Sequence, residues 1–214
     1  MYSVKEIFYT LQGEGAQSGN AAIFCRFSKC NLWSGREVDR EKAICQFCDT
    51  DILGTDGQNG GTYSEDEIIN IALSLIPEGI SLNESRILVV FTGGEPTLQL
   101  TNSLINRFKS CGFSTALETN GSLLAPSDID WITVSPKFGA KIKQTFGSEL
   151  KIVYPQKFDP KTFEDLDFKH FYLSPMATND PEQNRKNVEA CVNYCLQNPK
   201  WKLSNQNHKT WQID

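Results

Sequence analysis

The chain has no apolar run long enough to cross a membrane. Its longest apolar stretches, such as 87–91, fall far short of the ~20 residues a helical span needs. The opening MYSVKEIFYTLQGEG lacks both the basic stretch and the apolar core of a secretory signal. Positive charge is not in excess either: 21 Lys and Arg stand against 26 Asp and Glu, a net charge of −5. That balance leaves no electrostatic footprint for DNA or RNA. Internal repeats, low-complexity tracts and linker-like stretches are absent, and there are only two histidines. These absences predict a cytoplasmic protein with neither nucleic-acid nor membrane partners. Cysteine, by contrast, is plentiful. Seven cysteines form an odd set that suits disulfide pairing poorly, and a reducing compartment keeps thiols free. Metal or redox chemistry is the expectation for some of them. At 214 residues, one domain over 1–214 can bury a core without disulfides or structural metals.

Short apolar, β-branched runs predict strands over 23–27, 87–92, 115–118, 131–134, 150–154 and 171–173. Helical patterns lie between some of them. Ser64 with Glu67 forms a capping box ahead of an apolar run. Apolar spacing over 97–111, closed by Gly112, predicts a second helix, and 181–196 a third that opens on Pro181. Strands alternating with helices imply parallel βαβ units, and nearly continuous apolar strands suit a sheet covered on both faces. Three polar motifs follow strand ends: TGGEP after LVVF, ETNG after STAL and SPK after WITV. Active sites assemble at such ends in α/β proteins. The chain is too short for eight βα units, so the predicted fold is α/β, a partial, open (β/α) barrel on a mainly parallel sheet.

Cys30, Cys45 and Cys48 make a C-x14-C-x2-C pattern. Soft thiolates select zinc, copper(I) or iron–sulfur clusters. Most clusters take four protein thiolates, and a cluster held by three leaves one iron open. Cys25 would complete a four-thiolate zinc site, C-x4-C-x14-C-x2-C, and on the cysteines alone the two readings stand level. Strand alternation weighs against zinc: it sets Cys25 with Ile23 and Phe27 on a core face, while Phe24 and Arg26 point the other way. Cys111, Cys191 and Cys195 read as packing residues.

In this order and spacing, the cysteines, Thr92-Gly-Gly-Glu-Pro96 and Glu118-Thr-Asn-Gly121 resemble the radical S-adenosylmethionine superfamily. Most of its members carry C-x3-C-x2-C. The longer gap here resembles the 7-carboxy-7-deazaguanine synthases. So do Ile7-Phe-Tyr-Thr-Leu-Gln-Gly-Glu-Gly15, Phe24-Cys-Arg-Phe27, Phe47-Cys-Asp-Thr50, Ser135-Pro-Lys137 and Gln206-Asn-His-Lys209. The resemblance implies a [4Fe–4S] cluster on Cys30, Cys45 and Cys48, S-adenosylmethionine as cofactor, and Mg2+ at Thr50. It further implies conversion of 6-carboxy-5,6,7,8-tetrahydropterin to 7-carboxy-7-deazaguanine in queuosine-type biosynthesis, an external electron donor such as flavodoxin, and a homodimer. The alternative is an activating enzyme that installs a glycyl radical in a protein partner.

Carried over residue by residue, the cofactor contacts are Phe47, Cys48, Asp49, Gly93, Gly94, Glu95, Glu118, Ser135, Pro136, Lys137, Ser174, Pro175, Met176 and Ala177. The substrate contacts are Leu11, Gln12, Gly13, Glu14, Arg26, Thr92, His208 and Asp214. Arg26 stands out without any resemblance: a guanidinium inside an apolar strand needs a partner, either a substrate carboxylate or an internal Asp or Glu. Gly93 and Gly94 are expected to let the methionyl end of the cofactor approach the backbone. Residues 31–44 are charge-rich and read as either a short helix over the cluster or a solvated loop. His170 reads as structural.

Overall fold

The computed structural model describes residues 1–213, so the expectation for Asp214 lies outside the described residues. Strands β1 (Tyr2–Leu11) and β2 (Ala21–Phe27) form an antiparallel pair, and β3 (Gly61–Tyr63) flanks β1. Helix α1 (Glu65–Ser74) leads to β4 (Leu88–Gly93), and α2 (Asn102–Ser110) to β5 (Ser114–Thr119). Then follow β6 (Trp131–Val134), β7 (Phe146–Tyr154), β8 (Asp167–Pro175), α3 (Pro181–Gln197), β9 (Trp201–Leu203) and the short α4 (Asn207–Trp211). All nine strands join one sheet in the order β3-β1-β2-β4-β5-β6-β7-β8-β9, parallel from β2 to β9. The sheet is open, with β3 and β9 at its edges.

Alternation along the strands divides two faces. Ile23, Cys25 and Phe27 of β2 and Val89 and Phe91 of β4 point outward into a core with Ile68 and Ala72 of α1 and Leu104, Ile105 and Phe108 of α2. Each such side chain contributes roughly 1.5–3 kcal/mol on burial. A second core lies under α3, where Cys191 meets Leu150, Ile152, Phe171, Leu173 and Trp201. Cys25 is fully buried, so its reading as a core residue holds, and it supplies no fourth thiolate to the other face.

The capping box is present: Ser64 Oγ accepts from Glu67 N, and Glu67 Oε2 accepts from Ser64 N at 2.8 Å. Ser64→Ala should therefore lower stability by about 1 kcal/mol in urea denaturation, and an unchanged midpoint would refute the cap's role.

One feature differs from the sequence expectation. The helix expected over 97–111 is broken, because a 3-10 turn occupies Pro96–Leu98 and α2 begins only after Thr101 caps Leu104 N. Gln99 sits in the break, its side chain accepting from Ser3 N at 2.7 Å and donating to Ser28 O at 3.0 Å. Helices alternate with strands in only part of the fold, as their patterns in the sequence imply: the β5–β6, β6–β7 and β7–β8 crossovers contain no α-helix. Pro126, Pro136, Gly139, Pro155 and Pro160 lie in those segments, and proline removes the donor and the backbone freedom a helix needs. Buried Gln144 staples them instead, accepting from Ala125 N and donating to Phe146 O.

The inner face of the sheet is closed at one end by Phe8, Ala22, Phe24, Leu88, Val90 and Ala116, with Trp131 packed against them. His170 stacks on Trp131 at 5.7 Å, a structural placement. The next inward row is polar: Arg26 and Thr92 are register partners, Glu118 pairs with Thr133, and Thr133 pairs with Glu149. That switch from apolar to polar marks the floor of a cavity.

Candidate active site

A cavity of about 560 Å³ opens at the C-terminal ends of the parallel strands. Cys30, Cys45 and Cys48 all line it, together with Arg26, Thr92, Glu118, Lys137 and Lys151.

Cys30 follows β2, and its Sγ accepts from Leu32 N at 3.4 Å and lies 3.9 Å from Asn120 Nδ2. The chain then leaves and returns: Ile44 N and Cys45 N both donate to Leu32 O. Between them, residues 37–42 form a 3-10 helix, which resolves the two expectations for this segment. Arg40 stacks on Trp33 at 4.1 Å and donates from Nη1 to Gln46 O at 3.0 Å and Cys48 O at 3.1 Å. The insertion thus braces the turn that carries Cys45 and Cys48. A bulge in β1 turns Lys5 toward the loop just beyond, where its ammonium meets Asp51 and Asp56, each at 2.6 Å. Thr50 lines the cavity between these anchors.

The thiols are electrostatically linked. A hydrogen bond from Cys45 lowers the Cys48 thiol to about 6, and the same bond raises Cys45. Burial pushes Cys30 up. Burial also draws the Lys137 ammonium down, while Cys45 and Cys48 pull it back up. Lys137 donates to Ser135 O at 2.8 Å and Ser135 Oγ at 2.7 Å. Among the described residues no three His, Cys, Asp or Glu side chains converge on a single metal ion. A cuboidal cluster spreads its irons over a larger body, and three thiols around one cavity, linked to each other and to a lysine, suit that larger acidic group.

The two glycines have a packing task as well. A Cβ on Gly94 would fall on the Lys29 carbonyl oxygen, and one on Gly93, where φ is +108°, on backbone atoms of Phe27. Gly94 N donates to Phe27 O and Glu95 N to Lys29 O. The pair therefore seats the segment that carries Cys30 against the end of β4. Both glycines also line the cavity.

Glu95 lies behind the wall. Fully buried, it accepts from Thr97 N, Thr97 Oγ1, Thr119 Oγ1 and Asn120 N at 2.5–3.0 Å, tying the β4 loop to the β5 loop. Pro136 and Met176 also lie off the cavity lining. Met176 acts through its backbone, donating to Tyr154 O and accepting from buried Asn187. Phe47, Asp49, Ser135, Ser174, Pro175 and Ala177 do line the cavity, as do Leu11, Gln12, Gly13, Glu14 and His208.

Arg26 lies beside an internal carboxylate and also lines the cavity. Its guanidinium lies 5.5 Å and 5.7 Å from the Phe8 and Phe24 rings. Its Nε is 3.0 Å from Glu6 Oε1 yet off the hydrogen-bonding line, so among the described residues this buried N–H is unpaired. An internal carboxylate is present, and the guanidinium still fronts the cavity. His208 packs so closely over Gly13 that a Cβ there would lie 2.5 Å from its Nδ1. Lys209 reaches Asp49 at 3.6 Å, which brings α4 and the Cys48 loop together at the cavity.

Lys151 is the site residue that the motifs did not flag. It sits in the apolar run LKIVY, the same signal that singled out Arg26. Its Nζ is 2.7 Å from Glu14 Oε2 and 3.3 Å from Glu118 Oε1.

Comparison with known proteins follows the same lines. No family model matches the chain. The 7-carboxy-7-deazaguanine synthase of Caulobacter vibrioides is 54% identical over 209 residues, covering 97% of each chain. That of Bradyrhizobium diazoefficiens is 49% identical over 213 residues, covering 99% of each. The crystal structure of QueE from Escherichia coli superposes with a TM-score of 0.72 at 26% identity, over 97% of this chain and 94% of that one. Identity of this order along nearly the whole length, on a shared open sheet, places the chain in the 7-carboxy-7-deazaguanine synthase family.

Proposed function

We propose that the cavity binds a [4Fe–4S] cluster, S-adenosylmethionine, Mg2+ and 6-carboxy-5,6,7,8-tetrahydropterin, and forms 7-carboxy-7-deazaguanine. The observation that carries this reading is that the three cysteines open on the same cavity as an arginine and a wall of carboxylates and amides. When bound, the cluster and S-adenosylmethionine supply the 5′-deoxyadenosyl radical that takes a hydrogen from C6, and Mg2+ assists the ring contraction that expels ammonia.

The chain's own residues supply placement. Cys30, Cys45 and Cys48 hold three irons. The backbone at Phe47–Asp49 and Gly93–Gly94, with Ser135, Lys137, Ser174, Pro175 and Ala177, lines the place of the cofactor, while Glu95, Pro136 and Met176 support it from behind. Arg26 offers a planar cation to the pterin carboxylate. Gln12, Glu14 and Thr92 present donors and acceptors to the pterin edges, and Leu11, Gly13 and His208 close over it; Glu118, expected among the cofactor contacts, is assigned to the same edge because it meets Gln12 and Lys151. Thr50 offers a hard oxygen to Mg2+, which keeps further sites for substrate oxygens. An external electron donor such as flavodoxin, a homodimer and a cytoplasmic location belong to the same reading. Among the described residues no helix is long and apolar enough to cross a membrane.

Anaerobic reconstitution with iron and sulfide, followed by reductant, S-adenosylmethionine, Mg2+ and the carboxytetrahydropterin, should give both 5′-deoxyadenosine and the deazaguanine by mass. Absence of both products sinks the proposal, and 5′-deoxyadenosine alone sinks the pterin assignment.

A further inference from the structure

The polar floor of the cavity holds three carboxylates around one ammonium. Glu14 comes from the segment after β1, Glu118 from β5, and Glu149 and Lys151 from β7. Lys151 is buried and touches both Glu14 and Glu118. Gln12 joins the same two residues from the other side: its Nε2 donates to Glu118 Oε1 and its Oε1 accepts from Glu14 N, both at 3.1 Å. Glu149 shares a small void of about 10 Å³ with Glu14 and Glu118, but its one hydrogen bond is from Ala16 N at 2.8 Å.

A buried ion pair is weak support for stability, because apolar residues of the same volume usually serve as well. This one has a use that apolar residues could not meet. A pterin ring presents two adjacent donors, the 2-amino group and N3–H, and two carboxylates held side by side match them. We propose that Lys151 is a positioning residue for the substrate: it locks Glu14 and Glu118 together as one acceptor pair facing the pterin's donor edge. The proposal rests on the pterin reading above.

The charges around Glu14 support it. Burial alone would raise the Glu14 carboxyl, but Lys151, a hydrogen bond from Gln206 and the neighbouring His208 together lower it. Lys151 is lowered by burial and raised more by Glu118, Glu14 and Glu149. Burial raises Glu149, which keeps its proton more readily than an ordinary carboxyl. His208 is lowered by burial, Tyr172 is raised by burial and by Glu149, and Lys137 feels repulsion from Lys151. Without Lys151 the largest influence that holds Glu14 down is gone, and burial is left to push the carboxyl up, toward a form that donates where the pterin needs an acceptor.

The test is fluorescence titration of the reconstituted Mg2+-bound protein with 6-carboxypterin, the stable oxidised analogue of the substrate. At pH 7, Lys151→Met should weaken binding by about 30-fold, the loss expected when charge-assisted hydrogen bonds lose their geometry. In a Glu14→Gln background, which already lacks the carboxylate pair, the same substitution should weaken binding by no more than about threefold, and Lys151→Arg should stay within about fivefold of wild type. In turnover, the Lys151→Met deficit should fall on KM for the carboxytetrahydropterin rather than on kcat. A loss of the same size in the Glu14→Gln background, or no loss, overturns the proposal. Should Lys151→Met fail to fold, Lys151→Gln gives the independent reading: it keeps a donor without the charge and should bind about tenfold more weakly than Lys151→Arg, and equal binding by the two overturns the role of Lys151. If the wild type does not bind the pterin at all, it is the proposed substrate that fails, a result distinct from either.

Discussion

Gly94→Ala should destabilise the protein by about 3 kcal/mol and abolish stable iron incorporation. The new methyl group meets the carbonyl of Lys29 and the amide of Cys30, and neither can turn aside like the end of a flexible side chain. Relief requires the two loops to separate. That separation breaks Gly94 N to Phe27 O and Glu95 N to Lys29 O, and moves Cys30 away from Cys45 and Cys48. Denaturant unfolding and iron content after anaerobic reconstitution read the two effects separately. A variant of wild-type stability with full iron would show that the glycine serves cofactor approach alone.

Glu95→Ala should cost a comparable amount, roughly 3–5 kcal/mol, because it strands buried donors on two loops at once. Four groups lose their acceptor, and Asn120 is one of them. Asn120 also donates to Asn31 Oδ1 at 3.0 Å and lies against Cys30 Sγ, so the damage reaches the first cysteine without Glu95 touching the cavity. Glu95→Gln tests the charge and the donor count together. Its amide nitrogen would face groups that are themselves donors, so it should rescue only part of the loss. Full recovery in Glu95→Gln, by unfolding midpoint and iron content, would contradict this account.

These two residues show what could be read in the chain and what could not. TGGEP was legible as a motif at a strand end, which falls after its first glycine. Its internal division of labour was not, because the partner of Gly94 lies 65 residues earlier in sequence. The alternation that set Cys25 on the core face and Arg26 on the other was readable, since a strand's period is two and the Ile23, Cys25, Phe27 face is apolar throughout. Ser64 and Pro181 announced their helices by local start signals that depend on nothing distant. The helix expected across 97–101 failed because the side chain of Gln99 satisfies backbone groups of Ser3 and Ser28, a tertiary demand no local propensity contains. The β5–β8 half was legible as strands without α-helices between them, because no apolar helical spacing runs through those proline-bearing segments. Lys151 carried the same signal as Arg26, a charge within an apolar strand, and could have been found by it.

The insertion between Cys30 and Cys45 can also be viewed as a problem in chain statistics. Lengthening the loop between the first two cysteines from three residues to fourteen costs only about 1.4 kcal/mol in closure entropy if the loop is floppy. It is not floppy. Ile44 and Cys45 return to Leu32, and Arg40 grips the carbonyls of Gln46 and Cys48, so most of the freedom is spent before any iron arrives. A long spacing held in this way can present its thiols as closely as a short one. Residues 34–44 become a splint outside the cavity, tied to it through Trp33, Arg40 and the returning amides.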